Sequence, residues 1–76
     1  MPARERASLR CIREDLGKTQ VQIAQALETN QGEVSRIERR QDLMLSTMRR
    51  YAQALGARCE IAFVFRGGRR VRVVDP

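Results

Sequence analysis

The stretch that decides the fold is TQVQIAQALETNQGEVSRIE, running from Thr19 to Glu38. It carries two helix starts of the same kind. Thr19 stands three residues before Gln22, the spacing that lets a side-chain hydroxyl and a glutamine side chain satisfy each other's backbone N–H groups. Asn30 stands three residues before Glu33 and repeats the pattern. Between them, Glu28–Asn30 is too short for anything but a tight connection. The first helix turns Ile23, Ala24 and Leu27 to one face, and the second turns Val34 and Ile37. Ala24 is small where the two axes must cross, so the helices can approach closely.

That is the physical content of a helix-turn-helix. The second helix then offers the outward positions Gln31, Gly32, Glu33, Ser35 and Arg36. Its N-terminus presents backbone N–H groups and the positive end of a dipole to an anion. Glutamine can pair bidentately with adenine, and arginine with guanine. Gly32 removes a side chain and allows close approach to a base step.

Outward from this core, the stripe Leu9, Ile12 and Leu16 predicts a helix over residues 3–16, with Pro2 acceptable at its first turn and Gly17 just past its end. Ser46 can cap a fourth helix that buries Met48, Tyr51, Ala52 and Leu55, and Gly56 ends it. Near residue 56 the composition changes. CEIAFVF and VRVV suit strands, and Gly67-Gly68 between them is a turn signal. A three-residue, glycine-containing loop with a bulge is expected to place Phe65 opposite Val71 and Phe63 opposite Val73. Ile61, Phe63, Phe65, Val71 and Val73 then form one apolar face, and Arg66, Arg70 and Arg72 lie on the other. A two-stranded hairpin is marginal alone. Its apolar face must cover either the helices of its own chain or a second subunit, and dimerisation is the favoured expectation.

The chain has 76 residues, a formal net charge of +6 and no histidine. One domain's worth of chain fits this length. The expected division is a helical DNA-binding unit over 1–57 and a dimerising extension over 58–76. The basic excess points to a polyanion, and Lys18, Arg39, Arg40, Arg49 and Arg50 are candidate phosphate neutralisers. Catalysis is not expected. There is no histidine for general acid–base work, and neither Cys11 nor Cys59 has a histidine partner. The acidic residues are scattered, so neither a metal nor a cofactor is expected. No apolar run is long enough to span a membrane, and MPARERASLR lacks the character of a signal peptide, so a cytoplasmic protein is expected.

The pattern TQxxIAxxLxxxQxxVSRIE, with the final SxMRRYAQALG helix, resembles the Cro/phage-repressor helix-turn-helix family over roughly residues 7–56. The resemblance implies a mainly α, lambda repressor-like fold of four short helices that binds operator DNA as a dimer and represses transcription. It implies that Gln20 opens the first helix of the motif and touches a phosphate while steadying the recognition helix. Gln31, Gly32 and Arg36 would face bases, with Ser35 reaching phosphate or base. Thr19, Asn30, Glu33, Arg39, Arg40 and Gln41 complete the expected DNA-binding set. Gly32 departs from the family, where a polar side chain is usual. Arg40 stands where a helix-ending glycine is usual, and Arg40 and Gln41 could instead reach phosphate. The resemblance also pairs Glu38 with Arg13 of helix 1. A helix-turn-helix followed at once by strands further resembles the HipB-like and HigA-like antitoxins of toxin–antitoxin pairs. In the HipB-like group, C-terminal strands pair across the dimer. With no long tail after the hairpin, an antitoxin of this kind is expected to grip its toxin with a helical face or with the hairpin. The competing function is a protein-interaction adaptor on the same fold, without DNA binding.

Overall fold

The computed structural model describes residues 7–74. Four helices, α1 (Leu9–Asp15), α2 (Gln20–Leu27), α3 (Gln31–Arg39) and α4 (Leu45–Ala54), precede an antiparallel hairpin of β1 (Ile61–Val64) and β2 (Arg70–Val73). The α2 helix packs on both α3 and α4. Ile23, Ala24, Leu27, Val34, Ile37 and Tyr51 form the buried core, flanked by the half-buried Leu9, Leu43, Ala54 and Leu55.

The caps of the central motif form as the spacing requires. Thr19 Oγ1 accepts from Gln22 N–H at 3.1 Å, while Gln22 Oε1 accepts from Thr19 N–H at 2.8 Å. Asn30 Oδ1 accepts from Glu33 N–H at 2.8 Å and starts α3. Three helices end alike, with an N–H reaching back five residues: Lys18 to the Arg13 carbonyl, Thr29 to Ala24 and Ala57 to Ala52. Each such ending needs a left-handed residue. Gly17 and Gly56 supply it at the ends of α1 and α4, but at the turn of the motif Glu28 does, with φ +58°.

Four expectations are corrected. Within the described residues α1 begins at Leu9, because Ser8 Oγ accepts from Cys11 N–H and caps it; residues 3–6 and Pro2 lie outside the described part. The inward face of α1 is also different. Leu9 and Arg13, four apart, face the core, while Ile12 and Leu16 are exposed. Ser46 does not cap α4. Met44 is the N-cap, without a side-chain hydrogen bond, because Leu43 packs on the core and the chain turns into the helix directly after it. In the hairpin the loop is the three residues Arg66, Gly67 and Gly68, closed by Gly68 N–H to the Phe65 carbonyl and by Phe65 N–H to the Arg69 carbonyl. Phe65 therefore lies opposite Arg69, and the register sets Phe63 against Val71 and Ile61 against Val73, two residues from the expected pairing. A shift of two keeps every side chain on its face, so the apolar and arginine faces survive the correction.

The hairpin does not bury its apolar face on the helices of its own chain. Phe63 is 61% exposed and Phe65 50%, with Val64, Val71, Val73 and Val74 also exposed.

Candidate nucleic-acid interface

The α3 helix is sharply two-sided. Val34 and Ile37 are buried against α2, and Gln31, Gly32, Arg36 and Arg39 are exposed, with Ser35 half-buried beside them. The outward residues therefore sit on a helix whose other face is fixed by the core. Gly32 leaves its surroundings open: a Cβ placed there would meet Asn30 Oδ1 at 3.3 Å. Arg36 lies within 3.5 Å of Glu33, one turn back, and its side chain stays well exposed. Glu33 thus sets the resting position of the arginine at the centre of the face.

A hydrogen-bonded chain links this surface to the interior. Gln31 Nε2 donates to Gln20 Oε1 at 3.2 Å, and Gln20 Nε2 donates to Glu38 Oε1 at 3.1 Å. Glu38 is held by a two-pronged Arg13, Nε to Oε2 at 2.7 Å and Nη2 to Oε1 at 3.2 Å. Arg13 also gives Nη1 to the Lys18 carbonyl at 2.9 Å. The Tyr51 hydroxyl donates to Glu38 Oε2 at 2.7 Å, with the Leu9 carbonyl oxygen 3.3 Å away. The side chains of Arg13 and Glu38 are only 9% and 3% exposed. One carboxylate thereby ties α1, α2, α3 and α4 together directly beneath the outward face.

The electrostatics follow from that geometry. Burial pushes the Glu38 carboxyl up, but hydrogen bonds from Arg13, Tyr51 and Gln20 outweigh it and hold the group below its ordinary value. Glu38 holds the Arg13 guanidinium above its usual range, against the opposing effect of burial. Burial first, then the neighbouring carboxylate, push the Tyr51 phenol well above its ordinary range. All three keep their ordinary charge states near neutral pH.

Thr19 and Asn30 spend an oxygen each on capping, so their first task is to place the starts of α2 and α3. Arg39, Arg40 and Gln41 are exposed at the end of α3 and just beyond it. Arg50 differs from its expected role: its Nη2 donates to the Leu27 carbonyl at 2.8 Å, closing the C-terminus of α2. The pattern reading missed the Gln20–Gln31 pair and the part of Tyr51 in holding Glu38. A tyrosine on the inward stripe of α4 signals only packing until the facing carboxylate is known.

Among the described residues no group of three or more His, Cys, Asp or Glu could hold a metal ion, and no helix is long and apolar enough to cross a membrane.

The packed α2–α3 pair with one solvent-facing helix face defines a helix-turn-helix protein, and the chain belongs to the helix-turn-helix family, whose model matches residues 9–61. Among solved structures it is similar to DNA-bound antitoxin HigA3, at 26% identity and a TM-score of 0.82 over 96% of each chain. It is also similar to a HigA antitoxin described as inducing DNA bending by a unique dimerization, at 28% identity and a TM-score of 0.81 over 97% of this chain and 100% of that one. No curated protein matches the chain significantly.

Proposed function

We propose that the chain is a sequence-specific, double-stranded DNA-binding repressor that acts as a homodimer and serves as the autoregulating antitoxin of a toxin–antitoxin pair. The observation that carries this reading is the outward face of α3, held rigid by the Glu38 network and open at Gln31, Gly32, Ser35 and Arg36. Its likeness to a DNA-bound antitoxin over 96% of the chain supports the same use.

In this reading α3 enters the major groove. Gln31 and Arg36 read base edges, and Gly32 lets the helix come close. On meeting a base, Arg36 leaves Glu33. Gln20, braced by Glu38 and Gln31, offers its amide at a phosphate. The α2 N-terminus beside Lys18 adds backbone N–H groups, and Arg39, Arg40 and Gln41 follow the strand on the far side. Residues 1–57 form the DNA-binding unit. Residues 58–76 join two subunits through the exposed hairpin, so that two α3 helices meet two half-sites. Repression is then occlusion of a promoter.

The test is fluorescence anisotropy of the full chain with the promoter fragment upstream of its own gene, against a scrambled duplex. Preferential binding of the promoter fragment supports the reading. Equal or no binding at low salt overturns it and favours the adaptor function. Co-purification with the product of an adjacent gene, and neutralisation of that product's toxicity, tests the antitoxin part.

A further inference from the structure

The reading of the chain as a hairpin-joined dimer leaves open which strand meets the partner and in what register. The ladder and the charges decide between the choices. Phe65 and Arg69 form a hydrogen-bonded pair, and such pairs alternate along an antiparallel ladder. Residues 61, 63 and 65 therefore direct their backbone groups at β2, while Glu60, Ala62 and Val64 direct theirs at the free edge of β1. The outer edge of β2 is the other choice.

Two-fold pairing keeps like faces together only when the numbers of facing residues sum to an even value. On β2 the even registers confront arginines. Arg70 meets Arg72 of the partner subunit when Val71 lies on the axis, and Arg72 meets Arg72 of the partner subunit when Arg72 does. Like charges directly opposite are destabilising, and an arginine-bearing edge is one that resists pairing. The β1 edge is different. Ile61 to Phe65 is an unbroken apolar run bounded by Glu60 and Arg66. With Phe63 on the axis, every residue of the run meets an apolar partner: Ala62 meets Val64 of the partner subunit, and Ile61 meets Phe65 of the partner subunit. In the same register Glu60 meets Arg66 of the partner subunit. Moving Ala62 onto the axis sets Arg58 against Arg66 of the partner subunit, and moving Val64 onto it sets Ala62 against Arg66 of the partner subunit. Only the Phe63-centred register pairs opposite charges at both ends.

We propose that two copies pair through β1 about a two-fold axis at Phe63, forming a four-stranded sheet in the order β2–β1–β1–β2. Four backbone hydrogen bonds join Ala62 and Val64 across the axis, and a Glu60–Arg66 contact closes each end. Glu60 already holds Arg72 at 3.0 Å and Arg58 at 3.4 Å within its own chain. Arg66 is exposed at the loop and adds a third cation from the partner. The two Phe63 side chains stack on the axis as a non-hydrogen-bonded pair, where facing side chains come closest.

The inference rests on the dimer reading, and the test separates the two. Sedimentation equilibrium of the full chain gives the dimer dissociation constant, and a strict monomer at micromolar concentration overturns both. Arg66→Glu and Arg70→Glu each change the formal charge of the chain from +6 to +4, by removing one positive and adding one negative charge. They therefore lower general repulsion between copies alike. Arg66→Glu is expected to raise the dissociation constant roughly tenfold, with two end contacts turned repulsive, and Arg70→Glu to leave it unchanged or lower it. In a chain with Cys11→Ser and Cys59→Ser, Phe63→Cys is expected to form an inter-subunit disulfide on mild oxidation, because facing Cα atoms of such a pair lie about 4.5 Å apart. Val71→Cys is not expected to crosslink. A dimer that crosslinks through Val71→Cys but not Phe63→Cys, or that ignores Arg66→Glu, overturns the β1 register and leaves the dimer standing.

Discussion

Replacing Glu38 by leucine tests the claim that one carboxylate organises all four helices. The side chains of Glu38 and Arg13 are 3% and 9% exposed, so the replacement leaves a guanidinium almost without water and without its partner. Breaking a buried pair from one side costs about 3–5 kcal/mol. The Tyr51 hydroxyl and the Gln20 amide lose an acceptor in the same step, so the upper part of that range applies. At roughly 0.05–0.15 kcal/mol per residue, a chain of this length is stable by about 4–11 kcal/mol, and Glu38→Leu removes a large share of it. Adding Arg13→Met takes away the stranded charge. The double variant is therefore expected to be more stable than Glu38→Leu alone, though below the parent, because Tyr51 and the Lys18 carbonyl stay unpaired. Urea denaturation followed by circular dichroism, at one fixed protein concentration, measures all four chains. A loss under about 1 kcal/mol in Glu38→Leu, or additive single losses, would refute the reasoning.

The Glu38 carboxyl lies below its ordinary value of 4.5 in the folded chain, so as pH falls the unfolded chain takes up this proton first. Its stabilisation is complete above about pH 4.5 and is lost as pH drops through the lower folded value. Urea midpoints between pH 3 and 6 should therefore fall with acid in the parent and lose that component in Glu38→Gln. Glu28 holds the left-handed position that Gly17 and Gly56 fill at two other helix ends. Glu28→Gly should raise stability by about 0.5–1 kcal/mol in the same assay, and a loss would mean the glutamate has an unrecognised role there. Arg36→Ala should weaken DNA binding by about 1–3 kcal/mol with relaxed preference at one base position, read by anisotropy on a set of single-base operator variants. Equal weakening on every sequence would make Arg36 a phosphate contact.

The motif was legible because its signals are local. A capping residue three positions before its partner, a small residue at a crossing and a four-residue stripe each act within one or two turns. Thr19, Asn30, Ala24 and the core of α2 and α3 all follow from them. The Gly67-Gly68 turn is local too, and parity alone sorted the hairpin faces even where the register was two residues off. What the pattern concealed is long-range. Arg13 reads as a solvent residue until Glu38, twenty-five positions away, neutralises it. Ile12 and Leu16 read as core, yet the position they would fill is taken by that ion pair. Arg50 reads as a charge for phosphate, but a carbonyl left open at the end of α2 claims it. The outward face of α3 was visible because it is what remains once the inward stripe is assigned. Its bracing through Gln20 needed the third dimension.

The salt dependence of binding to the promoter fragment tests the central claim most directly. Lys18, Arg39 and Arg40 of two subunits make six cationic phosphate contacts in the proposed complex. A plot of log K against log salt should then fall with a slope of about −5, and the scrambled duplex should bind more weakly at every salt concentration. A flat salt response, or equal affinity for both duplexes, would contradict the account of α3 as the surface that reads DNA.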